Sequence, residues 1–189
     1  MPAPPLSIGD PAPHFAGLKG VDGRPRALTD FSDARLLLVV FSCNHCPYVQ
    51  GYEERMIRFA LDNAPRGVAM AAINPNDAEG YPEDGFEEMV RRARDRGFPF
   101  AYLRDDDQSV ARAYGATHTP EFFLVGPPEA DGRRRLCYHG KFDDNFRKPE
   151  EVTRRYLQEA VDDLLAGRPV REPETHSIGC TVKWKAGGL

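Results

Sequence analysis

The sequence predicts an α/β fold with a central mixed sheet and helices on both faces. Two apolar runs, Leu36–Phe41 and residues 68–73, show no alternation with polar residues, as expected of strands that are covered on both sides. Apolar residues at helical spacing follow the first run up to about residue 61. Because strands alternate with helices along the chain, the helices are expected on both faces of one sheet.

The remaining elements follow from turn and capping signals. An Asp22-Gly23 turn between residues 14–18 and 24–28 predicts an N-terminal hairpin. Asp84, with Glu87 three residues later, resembles a capping box and predicts a helix that ends at Gly97. That helix and a strand over 98–103 form an insert. The other predicted elements are a short helix opened by residues 105–107, a hairpin over 122–125 and 136–139, and a last helix over 149–166.

One domain is predicted over residues 1–168, followed by a C-terminal tail over 169–189. A stretch rich in proline and charge, residues 167–175, separates the two. In the tail, Ile178, Cys180, Val182 and Trp184 alternate with Gly, Thr and Lys. A period of two predicts an added short strand whose apolar side packs on the domain.

Composition excludes several classes of function. With 189 residues, 41% hydrophobic residues and a net charge of −4, the chain can bury a core and gives no reason to expect nucleic-acid binding. No stretch approaches the ~18 apolar residues of a membrane span. The N-terminal residues lack the pattern of a signal peptide, so a cytoplasmic location is expected. Four cysteines in that compartment favour redox or metal chemistry over structural disulfides.

The motif Cys43-Asn44-His45-Cys46 directly follows the first buried strand and precedes Pro47, which suits the first turn of a helix. The N–H groups and dipole of a helix N-terminus stabilise a thiolate. We therefore expect an exposed Cys43 with a lowered pKa, Cys46 behind it, and His45 donating a hydrogen bond or a positive charge to Cys43. The expected redox group is the Cys43–Cys46 disulfide itself, with no other cofactor.

A zinc site is the alternative interpretation of the motif. It would need a second pair of ligands, whereas Cys137 and Cys180 stand far apart in the sequence. His45 or His118 could complete a mixed site, but no residues have the spacing of a ligand pair. We expect no metal, and a non-enzymatic metal-binding or interaction module stays open as a different class of function.

Thr119-Pro120 is the second informative motif, because Pro120 directly precedes a predicted strand. A strand-initiating proline is the plain interpretation. Taken with the Cys43–Cys46 motif, the order of elements resembles thioredoxin-like proteins, in particular a peroxiredoxin-like redoxin subgroup with a CNHC motif. The residues that carry the resemblance are residues 11–15, 43–48, 98–100 and 119–123, and the tail segments 177–180 and 183–185.

This resemblance implies a thioredoxin fold and a cis bond between Thr119 and Pro120. In such proteins the cis-proline loop lies against the C-x-x-C motif and presents backbone groups to an extended substrate. Asn44, Thr119 and Pro120 are therefore expected to bind the substrate.

The sequence departs from the peroxiredoxin and thioredoxin patterns at three places. Cys43 occupies the position of the threonine that precedes the peroxidatic cysteine of peroxiredoxins by three residues. Pro120 occupies the position of their arginine. Thioredoxins also keep a buried acid in the strand before the motif, and residues 36–42 contain no carboxylate. Glu121 is the candidate for that role, by its proximity to Pro120.

The leading hypothesis is thiol–disulfide exchange with a protein or small-molecule disulfide. An unidentified electron donor is expected to supply the electrons. Cys43 is expected to attack and Cys46 to resolve the mixed disulfide. A thiol peroxidase, in which Cys46 or Cys43 becomes a sulfenic acid, is the alternative. For Cys180 two interpretations stay open: a small buried core thiol, or a third redox thiol that the tail brings to the site.

Overall fold

Seven of the nine strands form the central sheet of the computed structural model, which describes residues 6–186. In chain order the strands are β1 (Leu18–Gly20), β2 (Pro25–Arg26), β3 (Leu36–Phe41), β4 (Val68–Asn74), β5 (Ala101–Arg104), β6 (His118–Thr119), β7 (Glu121–Val125), β8 (Leu136–Gly140) and β9 (Cys180–Thr181). The sheet order is β2-β1-β5-β4-β3-β7-β8, and β6 and β9 form a separate ladder. Since β3 runs parallel to β4 and antiparallel to β7, the predicted mixed sheet is confirmed.

In the described part of the chain, four α-helices cover both faces of this sheet, as predicted. They are α1 (Pro47–Asn63), α2 (Phe86–Arg96), α3 (Ser109–Tyr114) and α4 (Tyr156–Leu165). Residues of α1 and α4 pack with Leu38 on one face, whereas residues of α3 pack with Val39 on the other. None of the helices within the described residues is long and apolar enough to cross a membrane.

Strand β3 is buried along its whole length, which explains its unbroken apolar sequence. Successive side chains of a strand point to opposite faces, so one set of three joins the α1 core and the other set joins the α3 core. Its partners hold it on both sides, with Phe41 opposite Ile73 of β4 and Glu121 of β7. The strand therefore delivers the residues after Phe41 to a fixed point at the carboxyl edge of the sheet.

The capping box predicted at Asp84 and Glu87 is wrong. Helix α2 begins after Gly85, which makes no side-chain capping bond, and Asp84 lies in the preceding 3₁₀ turn. Its carboxylate accepts the backbone N–H of Asn44 instead. Sequence spacing alone does not distinguish a capping carboxylate from one that is bound by a distant loop.

The predicted last helix begins later than its sequence pattern indicates, at Tyr156. Residues Pro149–Glu151 form only a 3₁₀ turn. The Asp144 carboxylate accepts the backbone N–H groups of Thr153 and Arg154, which keeps that segment out of the helix. In the N-terminal hairpin, similarly, the first strand begins at Leu18 and not at residue 14.

The tail follows the edge of the sheet before it reaches the end of β3. His139 of β8 donates its N–H to the carbonyl of Pro173 and accepts the N–H of Thr175, at 2.9 and 3.0 Å. Strand β9 then pairs with β6. Val182 is buried, but Ile178 and Trp184 are 47% and 39% exposed, so the predicted apolar side holds only in part.

We predict that Gly140→Ala loosens the attachment of the tail to β8. Gly140 has a φ of +147°, and a Cβ there would lie 2.0 Å from Thr175 Oγ1. The strain and the overlap together should lower the free energy of unfolding by about 2–4 kcal/mol. Chemical denaturation measures the loss.

Gly132→Ala is the matched control, because its φ is +80° and a Cβ there meets no atom within 4 Å. Its cost should stay near ~1 kcal/mol, from backbone strain alone. Equal losses in the two variants would contradict the close contact between Gly140 and Thr175.

Candidate active site

Both cysteines of the motif lie where β3 ends and α1 begins, and both are buried. Cys46 is the N-cap residue of α1, and Pro47 occupies the first helical position. The exposed fractions are 1% for Cys43 and 0% for Cys46, so the expectation of an exposed Cys43 is wrong. Two further segments contact these sulfur atoms.

The first covering segment is the loop of Thr119 and Pro120, whose peptide bond is cis. Thr119 is fully buried. Its hydroxyl lies 3.4 Å from the Cys43 sulfur, and its carbonyl oxygen lies 3.2 Å from the Cys46 sulfur. One residue of the loop therefore contacts both cysteines.

The second covering segment is the tail, through Cys180. Antiparallel pairing places Cys180 opposite Thr119, and the Cys180 and Cys46 sulfur atoms lie 2.7 Å apart. Cys180 is only half-buried, so a simple core thiol does not describe it. The site thus contains three thiols, and Cys46 lies between the other two because it is also hydrogen-bonded to Cys43.

Cys137 lies outside this cluster, in β8. Its sulfur contacts the carbonyl of Arg135, and burial raises the pKa of its thiol. A buried thiol with a raised pKa is a poor nucleophile. Cys137 is therefore suited to serve as a control in experiments on the other three cysteines.

The surroundings favour the thiolate at Cys46, although the sequence led us to expect it at Cys43. The hydrogen bond from Cys43 lowers the pKa of Cys46 most, and bonds from the Cys180 thiol and the backbone N–H of Val49 add to it. Against the effect of burial, these bonds bring the pKa of Cys46 to about 5. Either thiol of the Cys46–Cys180 contact can donate; once Cys46 is ionised, Cys180 is the donor.

The other two thiols are shifted the opposite way. The hydrogen bond with Cys46, burial, and the charge of Asp84 all raise the pKa of Cys43. Burial and the bond to Cys46 raise the pKa of Cys180 to about 11. The physical reason is position: Cys46 caps the helix and meets donors, whereas Cys43 precedes the helix and faces a carboxylate.

That carboxylate, Asp84, is fully buried and was not among the residues predicted for the site. It accepts hydrogen bonds from the Asn44 N–H at 2.6 Å, from the Asn76 amide at 2.8 Å, and from His45 Nδ1 at 2.6 Å. His45 therefore pairs with Asp84, and not directly with Cys43 as expected. Its ring stacks on Tyr81, with centroids 5.2 Å apart.

Two other residues named from the sequence have structural partners. The Asn44 amide donates to the carbonyl of Glu83 and accepts from the Tyr102 hydroxyl, so its side chain faces inward. Glu121, the candidate for the buried acid, binds His139 and the backbone N–H groups of Thr117 and His118. Burial alone would raise the pKa of Glu121, but these bonds outweigh burial and lower it. Asp84, and not Glu121, is the buried acid beside the motif.

The same group could act as a set of metal ligands. The ligand atoms of Cys43, His45 and Asp84 lie within 4.8 Å of one another, and their types suit zinc. They differ from the set weighed in the sequence, since Cys137 and His118 are not among them. The hydrogen bond between His45 and Asp84 already uses one ligand atom of each.

The fold and this thiol cluster define a thioredoxin-like redox protein of the peroxiredoxin-like type. Residues 8–130 match the model of the AhpC/TSA family. The chain belongs to that family. The comparison with curated proteins gives no significant match.

Two similar solved structures cover nearly the whole chain. A hypothetical protein of Sinorhizobium meliloti is 41% identical, with a TM-score of 0.88 and coverage of 97% of this chain and 98% of the other. An uncharacterised conserved protein of Geobacillus kaustophilus is 41% identical, with a TM-score of 0.86 and coverage of 96% and 94%. A thiol:disulfide interchange protein of Chlorobium tepidum, at 18% identity, TM-score 0.61 and coverage of 84% and 98%, shares the fold.

We predict that the reduced protein carries one thiolate at neutral pH, on Cys46. Its absorbance at about 240 nm should fall as the pH is lowered through about 5, because the hydrogen bonds hold the pKa of Cys46 at that value. Cys46→Ser should lose this transition, whereas Cys137→Ser should keep it. A transition that survives in Cys46→Ser and disappears in Cys43→Ser would reverse the assignment.

Proposed function

We propose that the protein is a thiol–disulfide oxidoreductase that exchanges its Cys43–Cys46 dithiol with the disulfide of a protein or small molecule. The observation that supports this most is the position of Cys46, which is the N-cap residue of α1 and whose sulfur lies within hydrogen-bonding reach of a second thiol. A thiolate held beside a second thiol can form a mixed disulfide and release it. We assign the attack to Cys46, which reverses the roles expected from the sequence.

The reaction has two displacement steps. The Cys46 thiolate attacks one sulfur of the substrate disulfide; a Cys46–substrate disulfide forms, and the other substrate sulfur leaves as a thiolate. Cys43 then loses its proton and attacks the Cys46 sulfur, which releases the second substrate thiolate and leaves the Cys43–Cys46 disulfide. Two electrons pass to the substrate, whose two thiolates take up protons. An electron donor of the dithiol class returns the protein to its starting state.

Asp84 and His45 suit the second step. Asp84 raises the pKa of Cys43, so Cys43 stays a thiol while Cys46 carries the charge. Once Cys46 is in a mixed disulfide, its sulfur no longer takes the Cys43 hydrogen bond as a thiolate, and Cys43 becomes easier to ionise. The Asp84 carboxylate lies within 4.8 Å of the Cys43 sulfur and can take up the proton, and its hydrogen bond to His45 Nδ1 holds it in position.

We predict that Cys43→Ser accumulates a mixed disulfide through Cys46 when the reduced protein meets a disulfide substrate such as oxidised glutathione. Cys46→Ser should form little or none, because burial and the charge of Asp84 still oppose ionisation of Cys43 after its bond to Cys46 is lost, and burial raises the pKa of Cys137. Mass spectrometry of the intact protein and of its peptides gives the site of attachment. The Cys180→Ser exchange is introduced in both variants, so that the third thiol cannot resolve the adduct.

Cys137→Ser is the control and should leave the reaction unchanged. A mixed disulfide on Cys43 in the Cys46→Ser variant would restore the roles expected from the sequence. Absence of any adduct, together with zinc bound to the purified protein, would favour the metal-binding module instead.

We predict that Asp84→Asn slows the resolving step by about 10²-fold, because a positioned proton acceptor typically contributes 10²–10⁴-fold. The mixed disulfide on Cys46 should accumulate even though Cys43 is present. Rapid quenching at low pH, followed by mass spectrometry, measures its amount. The slowing should shrink as the pH rises, since hydroxide replaces the missing acceptor.

Asp105→Asn provides the matched control, because Asp105 is also a buried carboxylate but binds the N–H groups of Val110 and Ala111 at α3. It should lower stability without accumulation of the adduct. If both variants behave alike, Asp84 has only a structural role.

A thiol peroxidase is the second candidate, supported by the AhpC/TSA match and by the lowered pKa of Cys46. Cys46 would attack the peroxide, release water and become a sulfenic acid, which a second thiol would convert to a disulfide with loss of another water. Within residues 6–186, no arginine or lysine side chain is hydrogen-bonded to the Cys43 or Cys46 sulfur to polarise a peroxide.

We therefore predict that the reduced protein reacts with hydrogen peroxide more slowly than with a disulfide at equal concentration. Stopped-flow measurement of tryptophan fluorescence or of residual thiols gives both rates. Peroxide consumption that outruns disulfide reduction, sustained by an added thiol donor, would place peroxidase activity first.

A further inference from the structure

The segment 177–182, here called the tail strand, closes the site from the outside. Its antiparallel register places Cys180 opposite Thr119 and Thr181 opposite His118. Val182 adds a backbone hydrogen bond to the carbonyl of Thr117, at 2.9 Å. The tail strand therefore forms hydrogen bonds with the backbone groups along one edge of the loop that lies directly against the two cysteines.

Such an edge can bind any extended peptide, because strand addition depends on backbone hydrogen bonds. The tail strand occupies it as part of the same chain. Its cysteine is brought into contact with the Cys46 sulfur, 2.7 Å away, which is where the sulfur of a bound disulfide substrate would have to lie. In position and chemistry, the tail strand imitates a substrate.

The backbone at Gly179 adds a size requirement. A Cβ at this residue would lie 2.4 Å from the carbonyl oxygen of Thr119 and 3.2 Å from the nitrogen of Pro120. A peptide bound in the same register must therefore place glycine directly before its cysteine. By contrast, the Ile178 side chain points outward and is 47% exposed, so the residue before the glycine is unrestricted.

The tail strand is held less firmly than the residues that follow it. Lys183 exchanges bonds with Asn76, Asp77 and Gln108, and the Lys185 N–H donates to Gln108 Oε1. The Ser177 hydroxyl, at the start of the tail strand, is buried and has no hydrogen-bond partner among residues 6–186. A buried hydroxyl without a partner costs free energy, which offsets part of the stability that the pairing of β9 with β6 contributes.

We propose that the tail strand is an internal substrate: it occupies the binding edge for an extended Gly-Cys segment of a partner protein, and Cys180 exchanges with the Cys43–Cys46 disulfide to form a Cys46–Cys180 disulfide. The Cys180 thiolate attacks the Cys46 sulfur, the Cys43–Cys46 bond breaks, and Cys43 leaves as a thiolate that takes up the proton given up by Cys180. No electrons are gained or lost, so no further oxidant is needed. The inference rests on the proposed function, which supplies the first disulfide.

Disulfide mapping tests the exchange. The full-length reduced protein is oxidised with glutathione disulfide, its free thiols are blocked at low pH, and its peptides are analysed by mass spectrometry. We expect both Cys43–Cys46 and Cys46–Cys180 bridges in the unmodified chain, and only Cys46–Cys180 in Cys43→Ser. Cys137→Ser should match the unmodified chain. A Cys43→Ser protein that keeps glutathione on Cys46 and forms no Cys46–Cys180 bridge would overturn the exchange without affecting the proposed function.

Displacement of the tail strand tests the binding edge. Gly179→Val should push the strand away from Thr119, and alkylation of Cys46 by iodoacetamide should accelerate about tenfold or more, since thiol reactivity follows exposure. Ile178→Ala, at the neighbouring exposed position, should change the rate less than about twofold. Unchanged alkylation in a Gly179→Val protein that melts cooperatively would show that the strand does not cover the site.

Peptide probes test whether a Gly-Cys segment binds at the edge that the tail strand occupies. Two synthetic peptides carry residues 176–184, with the cysteine as a thionitrobenzoate disulfide and with either glycine or valine before it. In the Gly179→Val protein, the glycine peptide should react with Cys46 about tenfold faster than the valine peptide, because overlap with a backbone carbonyl opposes binding. Equal rates would remove the proposed Gly-Cys partner. If Gly179→Val does not fold, the disulfide maps of the unmodified chain and of Cys43→Ser still decide whether Cys180 attacks a disulfide at Cys46.

Discussion

Thr119 is the residue on which the arrangement of the site depends. Its hydroxyl contacts the Cys43 sulfur, its carbonyl oxygen contacts the Cys46 sulfur, and its backbone pairs with Cys180. A fully buried residue with three such neighbours has little freedom to move. The chain after β3, the loop before β7 and the tail therefore meet at fixed distances, although they are remote in sequence. The three thiols form a cluster because one residue contacts two of the sulfur atoms and pairs through its backbone with the third cysteine.

Within the cluster, the polar groups around each sulfur atom determine which cysteine is ionised. Cys46 meets the thiol donors Cys43 and Cys180 as well as the Thr119 carbonyl, whereas a buried carboxylate faces Cys43, and the two pKa values move in opposite directions. Burial affects both sulfur atoms and does not separate them. Asp84 thus helps to keep a single negative charge at Cys46, the N-cap residue of α1, and its own carboxylate is hydrogen-bonded to His45. The asymmetry gives two chemically similar residues different roles.

Those parts of the structure that depend on local pattern could be predicted from the sequence. The unbroken apolar run of β3 defines a strand covered on both faces, and Pro47 is the first residue of α1, as predicted. The parts that were missed depend on contacts between distant segments. Asp84 has the spacing of a cap but binds a loop that precedes it by about 40 residues, and Asp144 delays the start of α4. The periodicity of a sequence does not predict which distant group such a carboxylate binds. Nor does it predict which of Cys43 and Cys46 has the lower pKa.

The third thiol belongs to a part of the chain outside the match to the AhpC/TSA model, which ends at residue 130. The shared fold supplies Cys43, Cys46 and the loop of Thr119, and these suffice for the exchange reaction that we propose. The tail adds a strand to the edge of that loop, and the coverage of 97% and 96% by two similar structures extends over it. A strand that pairs with the loop satisfies backbone groups and shields a reactive thiolate at the same time. Because the tail strand also carries Cys180, it can itself take part in the proposed exchange. Its shielding of the Cys46 sulfur would then depend on the redox state of the three cysteines.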